Sequence, residues 1–380
     1  MRLTFLLFIG ISAALNAQSQ FELEVKAAMA EHRYREVIAK LESAELDESL
    51  ELMLVRAYRQ TGQNTRALSM LTDIWQRDTT NRPLNQALAE TYFDRRQYRE
   101  AYDYFHRLTL LAPDRAYYHK LAGRSASRLL SLKPRAIEHY QQARQLQRDD
   151  RDAAYALALL FFELGQNLQA RPITQEFVAR DSSDLGMIML DTRLAYLMEQ
   201  YEMVIQNTNF MLAQGDTVPS VIRLYAIAQY QQKNYKVSRQ WLEYLQELAP
   251  SEQVYFYLGM ANYRLETYDT AAVYLQKAIE ETRSPNLGDF YTQLAITLDK
   301  DGQFRQAVAA YKEAYALNNS PEMLFRLALI YDEELRLYPQ AKTYYQEYLK
   351  FAGGYNSTEK LYAEDRLAEM KRADFMNVDD

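Results

Sequence analysis

The residues of this chain that could do chemistry are few, and their spacing points away from a reaction. Four histidines, His32, His106, His119 and His139, fall in different structural units. None makes the His-x-x-x-His or Glu-x-x-His pair that sets two metal ligands on one helical face, so no metal centre is expected. Cysteine is absent, which removes disulfides, thiolate metal sites and thiol nucleophiles. The Gly-x-Ser-x-Gly elbow, the phosphate-cradling Gly-x-x-x-x-Gly-Lys loop and Gly-x-Gly-x-x-Gly are all missing. Asp299-Lys300-Asp301-Gly302 opens like a calcium loop but lacks the later ligands, and Gly302 already serves as a helix turn. Glu280-Glu281 and Glu333-Glu334 read as solvated helix faces. The chain is therefore expected to have no catalytic residue, no metal and no cofactor, and not to be an enzyme.

The elements that hold these residues announce themselves by a repeat. Small residues recur at Val37, Ala67, Ala101, Ala136, Ala170, Val204, Ser238, Ala271, Ala307 and Ala341, in steps of 30, 34, 35, 34, 34, 34, 33, 36 and 34. A period near 34 accommodates two helices of about 12 residues and two short turns. With 11 glycines and 9 prolines in 380 residues, and no Gly, Pro or Ser linker, the composition suits helix interiors throughout. The expected fold class is all-α, a solenoid of about ten antiparallel helix pairs.

In the clearest unit, Leu88-Ala89 and Tyr92 are followed by Tyr98, Ala101, Phe105, Leu108 and Pro113. Ala89 and Ala101 let two helices approach closely, the larger residues fill the space between them, and Pro113 ends the second helix. The pattern returns at Tyr255, Leu258-Gly259, Tyr268, Ala271, Leu275 and Ala278. It returns again at Leu294-Ala295, Gly302, Phe304, Ala307, Tyr311 and Ala314. This arrangement resembles the tetratricopeptide repeat family. The resemblance implies a right-handed superhelical solenoid over 18–355; the residues on either side read as a signal peptide at 1–17 and a C-terminal capping helix and tail at 356–380, with Leu361, Leu367 and Met370 available to cover the end of the stack.

Two departures stand out. Asp191-Thr192 occupies the place of the family's Leu-Gly, so either the register shifts there or that first helix packs poorly. Longer turns are expected at Ser131–Pro134 and Leu335–Pro339, inserted between the helices of one pair, where a solenoid edge tolerates them. Gly62, Gly165 and Gly302 sit where a left-handed residue would close the first helix.

The resemblance also implies a concave groove lined by the first helix of each pair. Its positions select Tyr155, Leu159 and Phe162, then Met189, Arg193 and Tyr196, then Arg223, Ile227 and Tyr230, then Phe256, Met260, Tyr263 and Arg264. Aromatic, thioether and guanidinium side chains are enriched where proteins bind proteins. Further along, Asp289, Asp299, Glu322, Asp332 and Glu333 make that end acidic, which would orient a ligand whose charge varies along its length. The expected function is a non-catalytic interaction scaffold for a protein or peptide. A glycan or small-ligand module is the alternative, as is a structural component of an envelope or secretion assembly that uses its end faces.

Met1-Arg2, an apolar stretch of 13 residues from Leu3 to Leu15, and then Asn16-Ala17-Gln18 form a secretory leader. As a helix the stretch spans about 20 Å, short of a bilayer core of about 30 Å. Removing Arg2 with the leader leaves 43 basic against 51 acidic side chains, a balance opposed to nucleic-acid binding. Periplasmic or secreted localisation follows as an expectation, with no transmembrane segment after cleavage and no lipid-bearing cysteine. N-terminal sequencing of the product exported by a bacterial host is expected to begin at Gln18; an uncleaved, membrane-retained chain would refute the leader assignment.

Overall fold

Each small residue of the repeat lands at one structural position. In the computed structural model, which describes residues 19–282, 285–351 and 358–376, all ten are the fourth residue of a second helix and all are fully buried. The leader and Gly353, Gly354 and Tyr355 lie outside the described residues, as do the side chains of 373–376.

The chain divides into two units, Met1–Ser183 and Asp184–Asp380. In the first, helix pairs follow in order: α1 (19–30) with α2 (Tyr34–Leu41), α3 (Glu48–Gln60) with α4 (Asn64–Trp75), α5 (Arg82–Asp94) with α6 (Tyr98–Leu111), α7 (Ala116–Ala126) with α8 (Lys133–Leu146), and α9 (Arg151–Glu163) with α10 (Asn167–Arg180). In the second, α11 (Leu185–Leu197) pairs with α12 (Tyr201–Ala213), α13 (Pro219–Gln231) with α14 (Tyr235–Leu248), α15 (Glu252–Arg264) with α16 (Tyr268–Glu281), α17 (Leu287–Lys300) with α18 (Phe304–Asn318), and α19 (Pro321–Leu329) with α20 (Tyr338–Phe351); α21 (Thr358–Met376) closes the series. Among the described residues there is no strand.

First and second helices begin differently. Several first helices carry a side-chain cap: Asp47, Asn81, Asp150 and Asp184 accept from the backbone N–H three residues on, at 2.9 to 3.1 Å. Second helices are entered from a tight turn instead. The N–H of Gln97 donates to Tyr92 O at 2.9 Å, and the same bond reaching back five residues recurs at Gln63, Gln166, Gln200, Asn234, Thr267 and Gln303. This closure needs a left-handed residue just before it. Gly62, Gly165 and Gly302 supply it as expected, but His32, Arg96, Glu199, Lys233 and Glu266 do so without glycine, and Arg336 precedes a wider closure in which Leu337 N–H reaches back six residues to Tyr331 O. The α7–α8 turn is the exception, a 3-10 turn over Leu130–Leu132.

Two sequence expectations are corrected. Leu335–Pro339 is not an inserted loop: the extra residue is absorbed by a π-helical turn over Ile330–Glu334, with Leu335 N–H bonding Ile330 O at 2.9 Å. At Asp191-Thr192 the register is regular and both residues are buried; the Thr192 hydroxyl donates to Ile188 O at 2.7 Å and Asp191 accepts from Asn207 at 3.2 Å. Hydrogen bonds do there what apolar contact does elsewhere.

Close approach recurs within pairs. A Cβ on Gly259 would stand 2.6 Å from Leu275 Cγ, so only glycine fits. At the end of the second unit, α21 buries Ala363, Leu367 and Met370 against the last pair, whereas Leu361 is 51% exposed. Arg366 donates to both oxygens of buried Asp332, at 2.7 and 2.9 Å, and Tyr362 donates to Glu333 at 2.6 Å.

Two stability predictions follow. Lys233→Gly and Glu266→Gly each gain about 0.5–1 kcal/mol by relieving the left-handed backbone, while Gly165→Ala loses about 1 kcal/mol; urea unfolding reads all three. Asp332→Ala removes two of the three carboxylate bonds of Arg366, leaving only that to exposed Glu369 at 2.6 Å, and costs about 1–3 kcal/mol, read as loss of the unfolding transition that includes α21.

Candidate partner-binding surface

The groove positions inferred from the sequence are the fifth, ninth and twelfth residues of each first helix. From α9 to α15 this register gives Tyr155, Leu159 and Phe162; Met189, Arg193 and Tyr196; Arg223, Ile227 and Tyr230; Phe256, Met260 and Tyr263. Arg193 and Arg264 are exposed, and the others are half-buried except Ile227, which is 2% exposed and belongs to the core. Their apolar neighbours fill the seventh position, where Leu157 and Leu258 are buried.

In the first unit the same register picks residues the sequence reading passed over. In α7 it selects Lys120 and Arg124, with Arg128 one turn on, a basic row at i, i+4 and i+8 that was visible in the sequence. These three, with Lys133, Tyr155 and Leu159, line a cleft of about 700 Å³ between α7, the start of α8 and α9. Lys120 pairs with Asp150 at 2.7 Å and Lys133 with Glu163 at 3.2 Å. Burial alone would raise the Asp150 carboxyl, yet the Lys120 ammonium and the Ala153 N–H hold it below the usual carboxylate range. Arg124 lies over the Phe93 ring, 4.6 Å from its centroid, so its guanidinium is held without a carboxylate there. The next groove position inward is closed by charge, since Arg59 bridges Glu90 at 2.8 Å and Asp94 at 3.2 Å.

In the second unit the surface is phenolic. Tyr230 meets Tyr257 edge-on at 5.4 Å, with the Tyr196 phenol beside Tyr257 and the Arg264 guanidinium beside Tyr230. Burial, then the neighbouring Tyr196, drives the Tyr257 phenol well above its ordinary range, so its proton stays in place to bond. Phe256 stacks on Phe290 at 4.7 Å, and α13 touches both α11 and α15. The twelfth-position aromatics also clasp the turn: Phe93 packs on Tyr98 at 5.3 Å, Tyr196 on Tyr201 at 6.2 Å, Tyr230 on Tyr235 at 5.4 Å and Tyr263 on Tyr268 at 5.5 Å. These rings are partly structural, which the sequence reading of the groove did not separate.

The acidic stretch is smaller than its sequence suggests. Asp332 is turned inward by the π turn to meet Arg366, and Phe325 is buried against Tyr345, Tyr348 and Tyr362. The histidines also depart from the reading that scattered them: His119 and His139 share one pair, and His106 joins them. Even so, no group of three His, Cys, Asp or Glu side chains among the described residues is arranged to hold a metal ion.

Profiles described as tetratricopeptide repeat match residues 58–124, and residues 131–184 and 292–356. The chain belongs to the tetratricopeptide repeat family. The tetratricopeptide repeat solenoid is all-α and built of stacked helix pairs, and its repeats support protein–protein interaction. Solved structures similar to it include a tetratricopeptide repeat protein from Parabacteroides merdae, 13% identical, with 74% of this chain and 98% of that one covered at a TM-score of 0.45. Another is the Cut9–Hcn1 hetero-tetramer of the APC/C, 14% identical, with 88% and 66% covered at a TM-score of 0.42. A third is a MamA protein, 20% identical, with 46% and 97% covered at a TM-score of 0.38. No curated protein matches the tetratricopeptide repeat chain described here. Among its described residues no helix is long and apolar enough to cross a membrane.

Proposed function

We propose that this tetratricopeptide repeat protein is a non-catalytic scaffold of the bacterial cell envelope that holds a peptide segment or protein surface against its first helices. One observation carries the reading. Of the twelve residues at the fifth, ninth and twelfth positions of α9, α11, α13 and α15, ten are Tyr, Phe, Met or Arg, nine of them half-buried and Arg193 exposed, where a repeat needing only to pack would carry ordinary solvated polar residues. The leader sequence Met1–Ala17 supports export, and the absence of cysteine supports a protein not tethered by lipid.

The occupant suited to the first unit is an acidic segment, because the cleft presents Lys120, Arg124, Arg128 and Lys133 against Asp152 and Glu163. The occupant suited to the second is aromatic or apolar with hydrogen-bonding groups, because half-buried phenols offer large area with a polar tip. The same phenols favour a glycan as the second reading. Affinity for a short segment is expected to be micromolar, about −8 kcal/mol, since ordering the ligand offsets part of the burial.

The test is affinity capture of residues 18–380 from envelope extract, run beside two variants checked for intact helical circular dichroism. One carries Arg124→Ala and Arg128→Ala, the other Tyr230→Ala, Phe256→Ala and Tyr263→Ala. Partners lost by either variant, with at least a tenfold weaker Kd, support the first-helix surface. Partners retained by both move the contacts to the end faces, and capture of glycan alone promotes the second reading.

A further inference from the structure

Three of the four histidines converge in the first unit from three successive helices. His106 comes from α6, His119 from α7 and His139 from α8; the His106 and His139 ring centroids are 5.4 Å apart, and so are those of His119 and His139. Tyr102 stacks on His106 at 5.5 Å and meets His139 edge-on at 5.8 Å. His139 is buried, and the Nδ1 of His106 is buried without a hydrogen-bond partner.

The hydrogen bonding admits few protons. His119 Nε2–H donates to the Pro113 carbonyl at 3.2 Å, so neutral His119 turns a lone pair on Nδ1 toward His139, whose Nδ1 lies 3.2 Å away. One N–H, that of His139, fits between them. A proton added at His119 Nδ1 would set two N–H donors against each other in a part-buried seam, and one added at His139 Nε2 would place a charge on a buried ring.

We propose that the His119–His139 pair, packed against the His106 ring, is a pH-sensitive latch: uncharged near neutrality it lets α6, α7 and α8 pack, and on acidification it charges and loosens them. The charged and titratable groups around it leave the balance on the neutral side. On α8, Glu138 favours a charged His139, but Glu138 is already bound to Arg135 at 2.8 Å, and Arg135, His106 and His119 all oppose it. On α6, Tyr102 lies against the rings with Arg99 and Asp103 of opposite sign around it. From the α7 side the facing group besides His119 is the neutral Pro113 carbonyl. Burial first, then His106 and His119, brings His139 down to about 4, and burial lowers His119 as well.

The sign follows from proton binding. Between about pH 6.5, the ordinary value, and pH 4 an opened segment binds more protons than the packed one, so packing weakens as pH falls. For His139 alone the opening equilibrium should shift about twentyfold toward the open form between pH 7 and pH 5. Because α7 and α8 line the basic cleft, acidification would also reshape that cleft; this last step rests on the cleft being a binding site, whereas the latch does not.

The second unit contains no histidine and serves as an internal reference. Amide hydrogen exchange of the full chain at pH 7 and pH 5, corrected for intrinsic rates, should show peptides of α6 to α8 losing about twentyfold in protection relative to those of α11 to α18. His139→Gln should abolish most of that difference and His119→Gln should reduce it, while His32→Gln leaves it intact. Peptides of α6 to α8 that follow the second unit, or a loss undiminished in both variants, would overturn the latch. Should His139→Gln not fold, imidazole C2–H exchange on the wild-type chain decides: a His139 midpoint near 4 supports the latch and one near 6.5 refutes it. Both readouts concern packing alone, so a failed latch and a failed binding surface give different results.

Discussion

Everything in these two units depends on how closely two helices approach at the fourth residue of each second helix. Ten positions there carry nothing larger than valine, all without exposed surface. Ser238 shows that the constraint is one of size: its hydroxyl is buried without a hydrogen-bond partner, a cost of about 1–3 kcal/mol that an alanine would avoid. Given that contact, the larger residues have a fixed space to fill, and the helix register follows along the whole chain. The twelfth residue of the first helix then falls beside the first residue of the second, which is why the aromatic clasps recur at matching distances.

Packing of this kind is transmitted from neighbour to neighbour within each unit, so local choices have local consequences. The left-handed turn residues are an example. Six of the nine are not glycine, each is strained on its own, and none disturbs the pair beyond it. The π turn at Ile330–Glu334 is another local solution, in which one surplus residue is taken up inside a helix while the fourth-residue contact at Ala341 is kept.

Much of this was legible in the sequence. The period, the small residues and the all-α class follow from composition and spacing, because a size limit at a fixed interval leaves a direct mark, and the family from the resemblance of the motif residues around Leu88-Ala89, Ala101 and Phe105. Less legible were features in which one residue substitutes for another of different type: Asp191 and Thr192 satisfying a core position by hydrogen bonding, or Lys233 and Glu266 standing in for glycine. The basic row Lys120, Arg124 and Arg128 was readable at helical spacing, but the unit's Ala122-Gly123 hides the Leu-Gly landmark that would have located it. The histidine cluster was beyond spacing rules, since its members come from three helices and meet only through the packing of α6 on α7 and α8.

The last helix has a meaning beyond stability. A helix pair at the end of a repeat array presents the same apolar face that its interior neighbours bury, so it is a template on which another copy could dock and from which a filament could grow. By covering that face with Ala363, Leu367 and Met370 while turning Glu359, Glu364, Asp365 and Lys371 outward, α21 replaces an adhesive end with a charged one. The apolar face of the last pair is thereby withheld from other chains wherever α21 covers it, and the anchor at Asp332 sets how firmly that cover is held.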